Sequence, residues 1–113
     1  MEKNGKGKEY YDGKLRFEGE YLNGLRTGKG KEYYDDKLEF EGEYLNGERN
    51  GKGKEYFDGE LSFEGEYLNG KRNGKGKEYY YDGQLKFEGE YLDGKRNGKG
   101  KLYNYEGRLL FEG

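Results

Sequence analysis

Cysteine, histidine, proline, tryptophan, alanine, valine and isoleucine are all missing from this chain of 113 residues. Each gap closes off a class of chemistry. Without cysteine there is no disulfide framework, thiol nucleophile or thiolate metal site. Without histidine there is no imidazole base and no ordinary zinc or haem ligand set. No apolar run approaches the ~20 residues that a membrane helix needs. The opening residues, Met1 to Gly5, are polar and do not read as a signal peptide, so the expected location is cytoplasmic. Charge of one sign is lacking too: 22 Lys and Arg stand against 24 Asp and Glu, a net of −2. That excludes nucleic-acid binding through a global positive charge.

What is present is glycine (23 residues), tyrosine (14) and charge (41% of the chain). Leu and Phe are the only aliphatic and phenyl core formers, and they fall below the ~20% typical of a folded domain. The disorder signature also requires a high net charge, which this chain lacks. Tyrosine supplies large apolar bodies that such a rule leaves out. Order must therefore come from Tyr, Phe and Leu placed in a regular pattern.

The pattern is an internal repeat. Residues 5–27 read GKGKEYYDGKLRFEGEYLNGLRT. Units 28–50, 51–73 and 74–97 repeat that text with few changes, and 98–113 begin it again. The fourth unit has one extra Tyr before its Asp-Gly pair. No linker interrupts the array, so residues 1–113 read as a single domain.

Each unit reads as two strands and two turns. Leu15, Phe17, Gly19 and Tyr21 alternate with Arg16, Glu18, Glu20 and Leu22, the period of a strand with one apolar face. The second strand runs over 28–34, and residues 23–27 read as a short hairpin loop. Asp12-Gly13, Asp58-Gly59 and Asp82-Gly83 mark the other turn, and Asp35-Asp36 replaces it less comfortably in the second unit. Such connections are too short for crossovers, so neighbours must be antiparallel. The expected fold is all-β: a single-layer antiparallel meander of about ten strands. If Gly28 and Gly30 share a face with Phe17 and Tyr21, they leave room for rings to lie across them. The opposite face then pairs Lys29 and Lys31 with Glu18 and Glu20, a salt-bridged solvent face. Glu32, Glu55 and Glu78 fall on the aromatic side, near the turn, and are expected to reach solvent there.

The segments Phe63-Glu-Gly-Glu-Tyr-Leu-Asn-Gly-Lys-Arg-Asn-Gly-Lys-Gly and Phe87-Glu-Gly-Glu-Tyr-Leu-Asp-Gly-Lys-Arg-Asn-Gly-Lys-Gly resemble the MORN repeat. That family pattern is an aromatic-Glu-Gly-Glu-aromatic strand, an Asn-Gly-Lys-Arg-x-Gly loop and a Gly-x-Gly strand. Tyr80 to Leu85 also resembles the MORN variants of bacterial proteins. The chain departs from the pattern at Glu32, Glu55 and Glu78, where the family usually has an aromatic. The resemblance implies a single-layer array with a shallow groove, no catalysis, no cofactor, and a role as a protein-binding scaffold.

Functional expectations follow from both readings. Carboxylate pairs such as Glu18/Glu20 recur identically in every unit, whereas an active site would break the repeat at one place. No enzyme activity and no metal site are expected. An uncovered aromatic stripe of Phe40, Tyr44, Phe63, Tyr67, Phe87 and Tyr91 is the expected partner surface, because monomers rarely leave such a patch bare. An alternative is an anionic membrane surface held by Lys71, Arg72, Lys75, Lys95, Arg96 and Lys99 at the hairpin-loop edge. A third reading is a designed or consensus repeat without a natural partner. Open edge strands invite self-association.

Overall fold

The computed structural model describes residues 3–113. Ten strands follow in chain order: β1 (Gly5–Tyr11), β2 (Lys14–Leu22), β3 (Leu25–Tyr34), β4 (Lys37–Leu45), β5 (Glu48–Phe57), β6 (Glu60–Leu68), β7 (Lys71–Tyr79), β8 (Leu85–Leu92), β9 (Lys95–Tyr103) and β10 (Leu109–Glu112). They form one sheet in that same order, so the chain is an all-β, open antiparallel meander. No helix among the described residues is long and apolar enough to cross a membrane. The Cα trace measures 53 × 26 × 17 Å. A flat single layer would be far thinner than the smallest of these, so the sheet twists and curls.

The hairpin between β2 and β3 is tighter than the sequence suggested. Only Asn23 and Gly24 form the turn, with φ of 52° and 83°. Asn46-Gly47, Asn69-Gly70 and Asp93-Gly94 repeat it. Two residues at positive φ match the right-handed twist of the flanking strands, which is why Asn-Gly is favoured there. Leu25, Arg26 and Thr27 therefore belong to β3 rather than to a loop, and Arg26 pairs with Tyr21. The opposite turns are Asp12-Gly13, Asp35-Asp36 and Asp58-Gly59, and at 35–36 both aspartates are held at positive φ (53° and 66°). The fourth unit's extra Tyr lengthens its turn: Tyr80 accepts from Gly83 and donates to Gln84, and Asn104 does the same with Gly107 and Arg108.

A row of paired glycines crosses the sheet: Gly7↔Gly19, Gly19↔Gly30, Gly30↔Gly42, Gly42↔Gly53 and onward to Gly100. On one face the Phe rings lie flat on this row. A Cβ at Gly53 would stand 2.5 Å from Phe40 Cζ and 2.9 Å from Tyr67 Cε1. Only glycine leaves the ring that much space.

The core is this aromatic face: Phe17, Tyr21, Phe40, Tyr44, Phe63, Tyr67, Phe87 and Tyr91 are all buried. The rings form a continuous edge-to-face ladder. Phe40 meets Tyr44 at 5.8 Å and Tyr67 at 5.1 Å, with interplanar angles of 85° and 84°. The expectation of an uncovered stripe is thus corrected. Phe40, Tyr44, Phe63, Tyr67, Phe87 and Tyr91 are covered, and Phe40 and Phe63 retain no exposure at all. The cover comes from the arginines that the sequence reading had placed in loops.

Candidate functional site

Arg26, Arg49, Arg72 and Arg96 each lie across the Phe ring of the preceding strand. The guanidinium carbon of Arg49 is 4.0 Å from the Phe40 ring centre and that of Arg72 is 3.9 Å from Phe63. The glutamates expected to reach solvent fix the arginines instead. Glu32 accepts two hydrogen bonds from Arg49, at 2.9 and 3.0 Å, and one from the Tyr44 hydroxyl at 2.5 Å. Glu55 accepts from Arg72 and Tyr67 in the same way, and Glu78 from Arg96 and Tyr91. This bidentate geometry is the strong form of the ion pair. Burial opposes ionisation of Glu32, Glu55 and Glu78, but the hydrogen bonds from arginine and tyrosine outweigh it and hold all three carboxyls below the usual range. Burial, reinforced by the neighbouring carboxylate, raises the Tyr44 and Tyr67 hydroxyls far above theirs. The aromatic face is a closed layer of edge-to-face rings, guanidinium groups and paired carboxylates.

The other face is hollow. Two confluent stretches of a trough, with volumes of about 900 and 1060 Å³, run across the strands and share Lys52 and Lys54. The glycine row is the floor. Lys and Glu flank it on both sides, one sign per strand: Lys29 and Lys31 on β3, Glu41 and Glu43 on β4, Lys52 and Lys54 on β5. Stripes of like charge therefore repeat every second strand, ~9.6 Å apart.

The register sets Lys31 opposite Glu18 and Glu41, and Lys54 opposite Glu41 and Glu64, as the alternation implied. The expected salt bridges are nevertheless absent. Among the described residues the trough has one ion pair, Lys101 to Glu112 at 3.8 Å. The carboxylates have other partners. Glu18, Glu41 and Glu64 accept the hydroxyls of Tyr33, Tyr56 and Tyr79 at 2.7, 2.6 and 2.5 Å. Burial and these carboxylates push the three phenols up to about 12. Glu20, Glu43 and Glu66 fold over a bulge and accept the backbone N–H of Lys29, Lys52 and Lys75, at 3.2, 3.2 and 2.9 Å. Gly28, Gly51 and Gly74 make that bulge possible, at φ of 57°, 101° and 100°. Lys101 apart, the trough lysines have ammonium groups without an ion-pair or hydrogen-bond partner among the described residues.

The basic set of the membrane alternative does not come together. Arg72 and Arg96 lie on the aromatic face, bound to Glu55 and Glu78. Lys75 and Lys99 line the trough on the other face. Lys71 and Lys95 stand exposed beside the turns. Sequence reasoning missed the arginine cover because it began β3 at residue 28, three residues late. A recurrent spacing of 17 residues, in Glu9–Arg26, Glu32–Arg49 and Glu55–Arg72, carried that signal. The tyrosine clamps at Tyr33, Tyr56 and Tyr79 were missed because each adjoins a second aromatic, and the sequence does not say which of the two turns inward.

A family model described as MORN repeat matches the chain four times, over residues 17–38, 40–60, 63–85 and 87–107. No curated protein matches the chain.

Proposed function

The chain belongs to the MORN repeat family, and from that premise we propose that it is a non-catalytic scaffold that takes an extended segment of a protein partner into the Lys/Glu/Gly trough. MORN repeats in general serve as repeat scaffolds. One observation favours the trough over the aromatic face: the trough is concave, long and open, with free ammonium groups along it, whereas the rings opposite are buried under arginine. In this reading Phe40, Tyr44, Phe63, Tyr67, Phe87 and Tyr91 hold the floor rigid from behind. A rigid, preformed site keeps the entropy cost of binding low. The charge stripes would set the register of the bound segment, since a misplaced like charge is repelled.

The test is to select binders from a peptide library and map them by amide shifts. The largest changes are expected at Gly42, Gly53, Gly65 and Gly76. The double charge reversal Lys52→Glu with Lys75→Glu should weaken binding about tenfold or more, about 1.4 kcal/mol. Changes confined to the turns or the aromatic face would overturn the trough assignment.

A further inference from the structure

On the rim of the aromatic face, beside the Asp turns, the units differ at one position. The residue between the strand's Leu and Phe is Arg16, Glu39, Ser62 or Lys86. It is the extra residue of a β-bulge: Tyr10 pairs with Leu15 and Glu9 with Phe17, and Arg16 falls between. Its guanidinium carbon lies 5.7 Å from the Tyr11 ring centre and 5.3 Å from that of Tyr34. Nε donates to the Tyr33 carbonyl at 3.1 Å. Both rings are otherwise open, at 70% and 59% exposure. In the fourth unit the Lys86 ammonium lies 5.6 Å from the Tyr80 ring centre. Wherever this position carries a cation, the cation rests against the rim aromatics.

The second unit has a similar bay whose own bulge carries no cation; it shares the Tyr34 ring, which Arg16 of β2 approaches at 5.3 Å. Glu39 on β4 occupies the bulge between Tyr34 on β3 and Phe57 on β5, because Tyr33 pairs with Leu38 and Glu32 with Phe40. Phe57 is 70% exposed. Among the described residues Glu39 has no ion-pair or hydrogen-bond partner, and Lys37, two residues before it, is bound to Asp58 at 2.7 Å. Phe57, the exposed remainder of Tyr34 and a carboxylate without a partner among the described residues stand where the first unit holds its own guanidinium.

We propose that Tyr34, Glu39 and Phe57 form a receptor for the guanidinium of an arginine side chain on a partner polypeptide. The rings offer the negative faces that attract a cation, and the carboxylate offers a bidentate acceptor. Arginine fits better than lysine, because a planar ion fills a gap between rings and still reaches a carboxylate in its plane. The bay lies on the opposite face from the trough, and its assignment does not depend on that reading.

The experiment is a titration of N-acetylarginine amide into the full chain, followed by the ring resonances of Phe57 and Tyr34. N-acetylcitrulline amide, a neutral isostere, is the control. Arginine should give saturable shifts at these rings and citrulline none. Glu39→Gln should weaken binding about tenfold. Glu39→Arg should abolish it with an unchanged circular dichroism spectrum, since Arg16 is accommodated at the equivalent position. Equal shifts from citrulline, an undiminished response in either variant, or equal shifts at Tyr11 would overturn the proposal.

Discussion

At the scale of single residues, two kinds of glycine coexist, and they should respond differently to one methyl group. Gly53 has no room, since a Cβ would lie within 2.5 Å of Phe40. Gly59 has room, with nothing within 4 Å, but sits at φ +87°. Gly53→Ala should cost about 1–3 kcal/mol through overpacking, and Gly59→Ala about 1 kcal/mol through backbone strain alone. Urea denaturation of both variants checks this, and the opposite order would refute the packing of Phe on the glycine row. The clamped carboxylates predict the acid limit. Glu32, Glu55 and Glu78 are held below the ordinary 4.5. A depressed carboxyl contributes its stability above its unfolded value and loses it as pH falls through the folded one. Tyr33, Tyr56 and Tyr79 are raised from 10 to about 12. A raised group contributes below its unfolded value and loses that contribution as pH climbs through the folded one. The midpoint of unfolding should be flat between about pH 5 and 9 and fall on both sides. A midpoint that held constant down to pH 3 would show that the Arg–Glu–Tyr clamps do not stabilise the fold.

At the scale of elements, the turns set register and the bulges set which side chain faces where. Of the five turns at the Asp rim, those from Tyr80 to Gln84 and from Asn104 to Arg108 are lengthened, and the turn at Asp35-Asp36 is the strained one. Both residues hold positive φ, while the neighbouring units place glycine second. Asp36→Gly should raise stability by about 0.5–1 kcal/mol, because glycine adopts that conformation without a Cβ clash. Thermal unfolding should show a rise of a few degrees. A fall would mean that the Asp36 side chain contributes something its geometry does not reveal.

At the scale of the whole molecule, the sheet follows chain order and each repeat meets only the repeats beside it, so stability is a sum over repeats and the interfaces between adjoining ones. The core ladder runs from Tyr21 to Phe87, and β10 adds only exposed residues, Leu109, Leu110 and Phe111 among them. Amide hydrogen exchange should be slowest at Gly42, Gly53 and Gly65 and become faster toward β1 and β10. Uniform protection along the array would point to a single cooperative unit instead. Hollow and closed faces are also properties of the whole sheet, since no single hairpin can form the trough.

The repeat text was enough for the antiparallel meander, the Asp-Gly turns, the register of Lys stripes opposite Glu stripes and the placing of rings across glycine. Those features follow from period-two alternation and short connections, which act within one unit. Which face is covered was decided only in the tertiary structure. Arg49 on β5 lies over Phe40 on β4 and meets Glu32 on β3 beyond it, so its role depends on the curl of the sheet and on a carboxylate 17 residues back along the chain. The same holds for the trough. Its lysines look neutralised in sequence, because alternation shows that a glutamate lies opposite but not that a tyrosine hydroxyl or a bulged N–H has already claimed that carboxylate. Alternation fixes the side of the sheet, and only the assembled array fixes the partner.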